Sequence, residues 1–175
     1  MMKFIKTIIL ALAMVIPTFA GDSSLFNANE LGVSIGTSYT FDYNAKSVKD
    51  AFANPYDFNL NVGADYFLTR NFGVEANVPF YQTRGVSVSE VQAGLLARLP
   101  LSYDLPLLKN VAPYIGIGGI YSWEAEQQWT YVGKVGAEWR FNSKWGVFAE
   151  GQYRNSDFKW GSGATSVAGG IKLVF

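Results

Sequence analysis

The dominant pattern in this chain is an alternation of apolar residues with small or polar ones, which recurs along most of its length. In one such run Leu31, Val33 and Ile35 alternate with Gly32 and Ser34. A period of two puts successive side chains on opposite faces of an extended strand. The pattern predicts eight strands, at residues 31–41, 58–68, 72–80, 91–99, 113–123, 129–141, 145–154 and 166–175. Each is close to the ~9–11 residues of a tilted strand that crosses a membrane.

Two kinds of connection, tight polar turns and longer polar loops, separate the predicted strands. They lie at residues 69–71 and 142–144 (turns) and 42–55 and 155–163 (loops). An even-stranded barrel with both termini on one side of a membrane has short turns on that side and longer loops on the other. Pro79 and Pro100 are expected near strand ends or bulges, because proline has no amide hydrogen for the strand ladder.

The composition of the two strand faces separates a soluble barrel from a membrane barrel. A secreted barrel of the lipocalin kind keeps apolar side chains inside, whereas a membrane barrel has an apolar exterior and a polar interior. Here most glycines and serines share the face that carries most strand charges, and the opposite face is aliphatic in mid-strand and aromatic toward the ends. Because an eight-stranded barrel is narrow, glycines between long charged side chains fill it without overcrowding. The pattern favours an all-β, eight-stranded antiparallel transmembrane up-and-down β-barrel.

The N-terminal residues 1–20 have the three regions of a cleaved secretory signal peptide. Lys3 and Lys6 supply the charged start, residues 7–16 the apolar run, and residues 18–20, after Pro17, a small-residue cleavage site. The apolar run is too short to span a bilayer as a helix. We therefore expect export from the cytoplasm and one barrel domain at residues 21–175, which is about 155 residues long.

The last ten residues form a strand that ends on an aromatic residue. An apolar strand edge invites aggregation unless another strand pairs with it, and closure of the last strand on the first removes that edge. Gly170, Leu173 and Phe175 match the pattern typical of the final strand of bacterial outer-membrane barrels, while Ala168 stands where a polar residue is commoner. These three residues are predicted to be a C-terminal assembly signal.

Two internal segments carry a wider resemblance. Residues 112–123, APYIGIGGIYSW, and residues 133–154, GKVGAEWRFNSKWGVFAEGQYR, resemble the fifth strand and a following hairpin of the small OmpA/OmpX-type eight-stranded outer-membrane barrels. The resemblance extends over the whole mature chain. It implies a bacterial outer-membrane location, contact with outer-membrane lipid and lipopolysaccharide, and recognition of the last strand by the barrel-assembly machinery. It implies no single function, because one fold hosts many activities.

The predicted barrel interior carries the main constellation of charges. Nine residues are expected to face it: Asp65, Glu75, Arg98, Lys134, Glu138, Arg140, Glu150, Arg154 and Lys172. A buried charge without a partner costs several kcal/mol, so we expect pairs such as Glu138 with Lys172 and Glu150 with Arg140. One interpretation is a structural plug, since the interior of so narrow a barrel is normally filled. The alternative is a gated ion path, because buried charges in membrane proteins often mark pathways.

The residue inventory argues against catalysis. The chain has no histidine, which is the usual general base near neutral pH, and no cysteine for a disulfide or a thiolate metal site. The cluster at residues 116–119 lies within a predicted strand, where glycine makes space, so it is not a phosphate-binding loop. No basic patch suggests nucleic acid. We expect no enzyme activity, no cofactor and no metal.

Two non-enzymatic functions remain. The first is a structural envelope or surface-interaction protein whose loops make contacts through Lys46, Lys49, Asp157 and Trp160. The second is a small porin-like channel or transporter for ions or small solutes. Width argues against the second, because open aqueous channels need about sixteen strands. The sequence leaves the oligomeric state open.

Overall fold

The computed structural model describes residues 25–41, 58–81, 87–88, 90–101, 108, 110–123, 128–155 and 164–175. The strands in this part of the chain are Glu30–Phe41 (β1), Phe58–Phe67 (β2), Phe72–Tyr81 (β3), Ser87–Val88 (β4), Glu90–Arg98 (β5), Val111–Ser122 (β6), Gln128–Arg140 (β7), Trp145–Asn155 (β8) and Ala164–Val174 (β9). No helix among the described residues is long and apolar enough to cross a membrane. The predicted signal peptide at residues 1–20 lies outside the described residues.

The strands form one closed antiparallel ring. Apart from the two-residue β4, each strand pairs with the strands on either side of it, and β1 pairs with β9, so the ring is closed. The segments β4 and β5 both pair with β3, so together they occupy one of eight strand positions. The predicted eight-stranded up-and-down barrel is therefore confirmed. One end of the barrel carries the first residues of β1, the end of β9 and the turns after β2 and β7. We call it the turn end, and the opposite end the loop end.

The strand ladder is staggered by ten residues. Its register can be followed from Glu30 around the ring back to Thr40 on the same strand, through Phe67, Gly73, Leu96, Gly116, Lys134, Gln152 and Ser166. Strand number and stagger together fix the tilt of the strands and the radius of a barrel. Eight strands with this stagger enclose an interior that side chains can fill, and the occupants of that interior define the candidate site.

Most large apolar side chains of the strands face outward, as the sequence predicts, whereas a few such as Leu96, Ile120 and Val132 are buried. Ile35, Leu95, Ile117 and Ile171 are exposed on the outer surface, whereas Glu138 is buried inside. A soluble barrel has the opposite arrangement, with its hydrocarbon cluster at the centre. The exterior of this barrel is suited to lipid.

Aromatic side chains lie toward the two ends of the outer surface. Trp139 packs edge-on against Phe141 at the turn end, with 4.9 Å between ring centroids, and Tyr121 lies 5.0 Å from Trp129 at the loop end. Trp129 and Trp139 are ten residues apart on β7. At ~3.3 Å per residue and a tilt of ~35–45°, that separation spans about 23–27 Å along the barrel axis. The apolar band between aromatic girdles in outer-membrane barrels is about 25 Å tall.

Both prolines singled out from the sequence lie where a ladder hydrogen bond is dispensable. Asn77 pairs with Gln92 and Phe80 with Val88, so two intervening residues on β3, one of them Pro79, oppose three on the partner strand. This change of register is a β-bulge. Pro100 follows the end of β5.

Candidate functional site

The interior of the barrel, which we call the lumen, is filled by charged side chains. All nine of the charged residues predicted to face inward do so, and each takes part in at least one ion pair: Asp65, Glu75, Arg98, Lys134, Glu138, Arg140, Glu150, Arg154 and Lys172. Their placement follows from the period of two along each strand. They can form ion pairs because the closed ring brings residues of different strands together inside the barrel.

Glu30 joins two arginines at the turn end of the lumen. Arg140 donates to both oxygens of the Glu30 carboxylate, with Nη1 3.0 Å from Oε1 and Nη2 3.0 Å from Oε2. Arg98 Nη2 donates to Oε2 of the same carboxylate at 2.8 Å. Glu30 begins β1, Arg98 ends β5 and Arg140 ends β7, so this cluster ties together three strands that are not neighbours in the ring. Forked bonds from arginine to a carboxylate are among the strongest in proteins.

The residues before β1 turn back into the same mouth. Asn29 has a φ of 59°, in the left-handed region that asparagine tolerates, and its amide donates to the carbonyl of Phe67 at 2.7 Å. The reversal buries Phe26 completely, with 0% of its surface exposed. The guanidinium carbon of Arg140 lies 4.2 Å from the centroid of the Phe26 ring, and that of Arg98 lies 5.2 Å from it. A desolvated cation over an aromatic ring contributes about 2 kcal/mol or more.

The backbone of this segment is bound by the same two arginines. The carbonyl of Asn27 accepts from Arg98 Nη2 at 2.8 Å, and the carbonyl of Leu25 accepts from Arg140 Nη1. The amide of Asn27 donates to Glu30 Oε1 at 2.7 Å. Residues 25–29 thus place an aromatic ring and two backbone carbonyls at the turn-end mouth of the lumen.

Farther in, Lys172 on β9 bridges two carboxylates. Its Nζ lies 2.9 Å from Glu138 Oε2 and 2.8 Å from Asp65 Oδ2. Arg140 Nε binds the other oxygen of Glu138 at 2.6 Å, which links this cluster to the mouth. The pairing of Glu138 with Lys172 that the sequence predicts is therefore present.

The second predicted pairing, Glu150 with Arg140, is wrong. In the β7–β8 register Glu150 lies opposite Gly136, while Arg140 lies opposite Gly146 near the turn. The two charges are therefore displaced along the strands, and Arg140 reaches across the lumen to Glu30 instead.

Glu150 belongs to a cluster at the middle of the lumen. Lys134 Nζ lies 3.3 Å from Glu150 Oε2 and also pairs with Glu75 Oε2 on the opposite wall. Two neutral groups donate to Glu150 as well, the hydroxyl of Tyr114 to Oε2 at 2.7 Å and Gln152 Nε2 to Oε1 at 2.6 Å. We call these five residues the Lys134 cluster.

Toward the loop end, Arg154 Nη1 binds Glu90 Oε1 at 2.8 Å. Between this pair and the Lys134 cluster lies a band of buried, uncharged polar side chains that come from four strands: Ser38, Asn59, Asn61, Gln92 and Ser166. The lumen is thus charged from the turn end to the Lys134 cluster, neutral and polar in the band that follows, and charged again at the Arg154–Glu90 pair.

Sequence reasoning missed four residues of this interior. Glu30 and Glu90 each lie one residue before a predicted strand. Each is two residues before an inward-facing residue, Gly32 and Gln92 respectively, so extending the alternation by one residue would have identified both. With both included, six carboxylates face five cations in the described lumen, whereas the pattern of alternation alone predicts four carboxylates and five cations. Tyr114 lies on the same face of β6 as the inward-facing Gly116, so the alternation places it in the lumen. Nothing in the sequence indicates that Phe26 enters the barrel.

The predicted C-terminal signal lies in the strand that closes the ring. Gly170 pairs with Gly36 on β1, and the backbones of Phe175 and Leu31 exchange two hydrogen bonds, at 2.9 and 3.3 Å. Leu173 faces outward and is partly covered. The predicted loop contacts Lys46, Lys49, Asp157 and Trp160 lie outside the described residues.

In the part of the chain that the structure describes, no group of three or more carboxylate, histidine or cysteine side chains could hold a metal ion. The charged groups of the lumen are occupied with one another. The arrangement links strands that are not neighbours in the ring.

A closed eight-strand barrel with an apolar exterior and a charged lumen is the architecture of a small outer-membrane barrel. Residues 8–171 match the family described as outer membrane protein beta-barrel domain, and the chain belongs to that family. Among curated proteins none matches the sequence.

Several solved structures share the fold. The N-terminal barrel domain of Pseudomonas aeruginosa OprF is similar at a TM-score of 0.59 with 11% identity, over 85% of this chain and 99% of that one. Ail, the attachment invasion locus protein of Yersinia pestis, solved with the heparin analogue sucrose octasulfate, gives 0.54 with 14% identity, over 85% and 99%. OprG of Pseudomonas aeruginosa gives 0.53 with 12% identity, over 88% and 99%. At these identities the likeness concerns the fold.

Proposed function

We propose that residues 1–20 are removed as a signal peptide and that residues 21–175 are inserted in the bacterial outer membrane as an integral barrel. The outward apolar band and its aromatic ends support this location, since a surface of that kind is stable only against hydrocarbon. Fractionation of cell envelopes tests it: the protein should be found with the outer membrane at the mass of the shortened chain.

Replacing Ile117 by arginine tests the lipid-facing surface directly. Ile117 lies in mid-strand on β6 and is 63% exposed, so the new charge would enter the hydrocarbon and lower the free energy of unfolding in vesicles by ~2–4 kcal/mol. Leu68→Arg is the matched control, because Leu68 is equally outward but follows β2 at the turn end, where the cost is ~0–1 kcal/mol. Equal effects at the two positions would mean that this surface meets water.

We further propose that the lumen is a closed plug and that the protein acts as a structural envelope or surface-interaction barrel. The observation that carries this proposal is the turn-end cluster, in which Arg98 and Arg140 hold both the Glu30 carboxylate and the buried ring of Phe26. The alternative function, a small channel or transporter for ions or solutes, requires these contacts to open.

Planar-bilayer recordings separate the two functions. The refolded barrel should show no steady conductance, and Phe26→Ala should introduce a leak because it removes the ring that fills the turn-end mouth. Phe141→Ala is the control, since it removes an equal ring from the outer surface. Stepwise openings of the unchanged protein would support the channel instead.

The same proposal assigns the partners. The apolar exterior would contact outer-membrane lipid and lipopolysaccharide, and the barrel-assembly machinery would recognise the last strand through Gly170, Leu173 and Phe175. Surface contacts would be made by the loop residues Lys46, Lys49, Asp157 and Trp160. We propose no catalytic role, because the sequence contains no histidine to act as a base and the carboxylates of the lumen are held in ion pairs.

A further inference from the structure

The charges of the described lumen balance everywhere except around Lys134. At the turn end three carboxylates meet three cations: Glu30, Asp65 and Glu138 with Arg98, Arg140 and Lys172. At the loop end Glu90 is paired with Arg154. Between them, Lys134 is the one cation shared by Glu75 and Glu150 among the described side chains. The excess negative charge of the described lumen is therefore localised at the Lys134 cluster.

The side chains that carry this excess charge are buried. The side chains of Lys134 and Glu150 are each 4% exposed, and that of Glu75 is 9% exposed. Because Lys134 Nζ pairs with both, the carboxylates of Glu75 on β3 and Glu150 on β8 face each other across the lumen. A buried charge without compensation costs several kcal/mol, so a counter-charge is required at this level.

Two amide oxygens lie next to these carboxylates. Asn77 follows Glu75 by two residues on β3, and Gln152 follows Glu150 by two residues on β8, so each amide is the next inward side chain toward the loop end. Asn77 Oδ1 and Gln152 Oε1 are both buried and accept no hydrogen bond from the described residues. Gln152 as a whole is only 4% exposed, and its Nε2 already donates to Glu150. Unsatisfied buried acceptors cost about 1–3 kcal/mol each, which favours a hydrogen-bond donor or a cation beside each of them.

We propose that the lumen binds one alkali-metal cation between the carboxylates of Glu75 and Glu150 and the amide oxygen of Asn77, while the amide of Gln152 holds Glu150 in place through Nε2. Hard cations take carboxylate and amide oxygens as ligands, and carbonyl oxygens can replace the hydration shell of a monovalent ion. A single positive charge neutralises the Lys134 cluster. Glu75, Asn77 and Glu150 line a cavity of about 40 Å³, which has room for an ion and one or two waters. The proposal rests on the closed lumen proposed above.

Thermal unfolding of the refolded barrel in sodium, potassium or choline chloride at one ionic strength tests this site. Choline is too large for the cavity and serves as the reference cation. At an alkali-metal concentration about a hundred times the dissociation constant, the Tm should exceed its value in choline by roughly 5–10 °C. Equal Tm values in all three salts would overturn the proposal.

Three variants locate the effect. Glu75→Gln removes the excess charge and Asn77→Leu removes one amide oxygen, so each should abolish the difference between alkali-metal and choline salts. Glu90→Gln removes a carboxylate from the balanced pair and should retain the difference. An infrared carbonyl band of a protonated carboxylic acid that persists in sodium chloride and disappears in Glu75→Gln would also overturn the proposal, because a proton would then supply the charge. Planar-bilayer recordings on the same samples test the closed lumen separately from the cation site.

Discussion

The refolded Arg140→Ala barrel is expected to lose about 3–5 kcal/mol of unfolding free energy, which is the cost of breaking a buried ion pair by removing one partner. Arg140 is 1% exposed and contacts Glu30, Glu138, the carbonyl of Leu25 and the ring of Phe26. Its loss leaves Glu138 with Lys172 alone and removes one of the two cations that hold Glu30. Denaturant titration followed by tryptophan fluorescence and by the heat-dependent gel shift measures the change.

Lys144→Ala is the matched control for this experiment. It also removes one positive charge, but Lys144 lies exposed in the turn after β7, where a substitution changes stability by less than ~0.5 kcal/mol. If both variants unfold at the same denaturant concentration, the turn-end cluster does not stabilise the barrel. Bilayer recordings on Arg140→Ala add a second result: a steady leak indicates a structural plug, whereas altered open probability indicates exchange between ion-pair partners.

The Gly170→Val barrel is expected not to close. A side chain at Gly170 would overlap the carbonyl oxygen of Ile35 and the α-carbon of Gly36, and these backbone atoms cannot move without separating β1 from β9. Overpacking costs ~1–3 kcal/mol where flexible side chains can adjust, so a clash with backbone should exceed ~3 kcal/mol. The folded band of the heat-dependent gel shift should disappear.

Gly151→Val provides the comparison. Gly151 lies on β8 facing outward, and a side chain built there meets no atom within 4 Å. Because valine suits a strand better than glycine, this variant should fold as well as the unchanged protein or be up to ~1 kcal/mol more stable. If Gly170→Val yields as much folded barrel as Gly151→Val, close approach of β1 and β9 is not required for closure.

Arg140→Ala and Gly170→Val probe one physical constraint, the narrow interior of an eight-stranded barrel. Long charged side chains can cross this lumen only where the facing positions are small. Gly32 illustrates this, because a side chain there would occupy the place of the Asp65 carboxylate. Glycine and ion pairs are therefore complementary features of the same packing, and removing either should open or expand the barrel.

Local pattern was sufficient to predict the strands, their inward faces and the nine charged residues of the lumen. Side chains alternate between the two faces of a strand, so one run of apolar residues at every second position shows which residues of that strand face outward and which face inward. Continuing the same alternation by one residue beyond the predicted strands would have placed Glu30 and Glu90 in the lumen as well. The prediction that Glu150 pairs with Arg140 was wrong because alternation shows only which face of a strand a side chain lies on. Its height along the barrel axis depends on the register between strands.

Short-range features of the chain are enough to specify a barrel with an apolar exterior, because alternation and residue type involve only a few neighbouring residues. The tertiary arrangement sets which charges meet, since a ladder staggered by ten residues brings together side chains from β1, β5 and β7 that are far apart in sequence. It also decided that Phe26 enters the lumen. That contact depends on a reversal at Asn29 and on two arginines supplied by distant strands, and no local pattern contains this information.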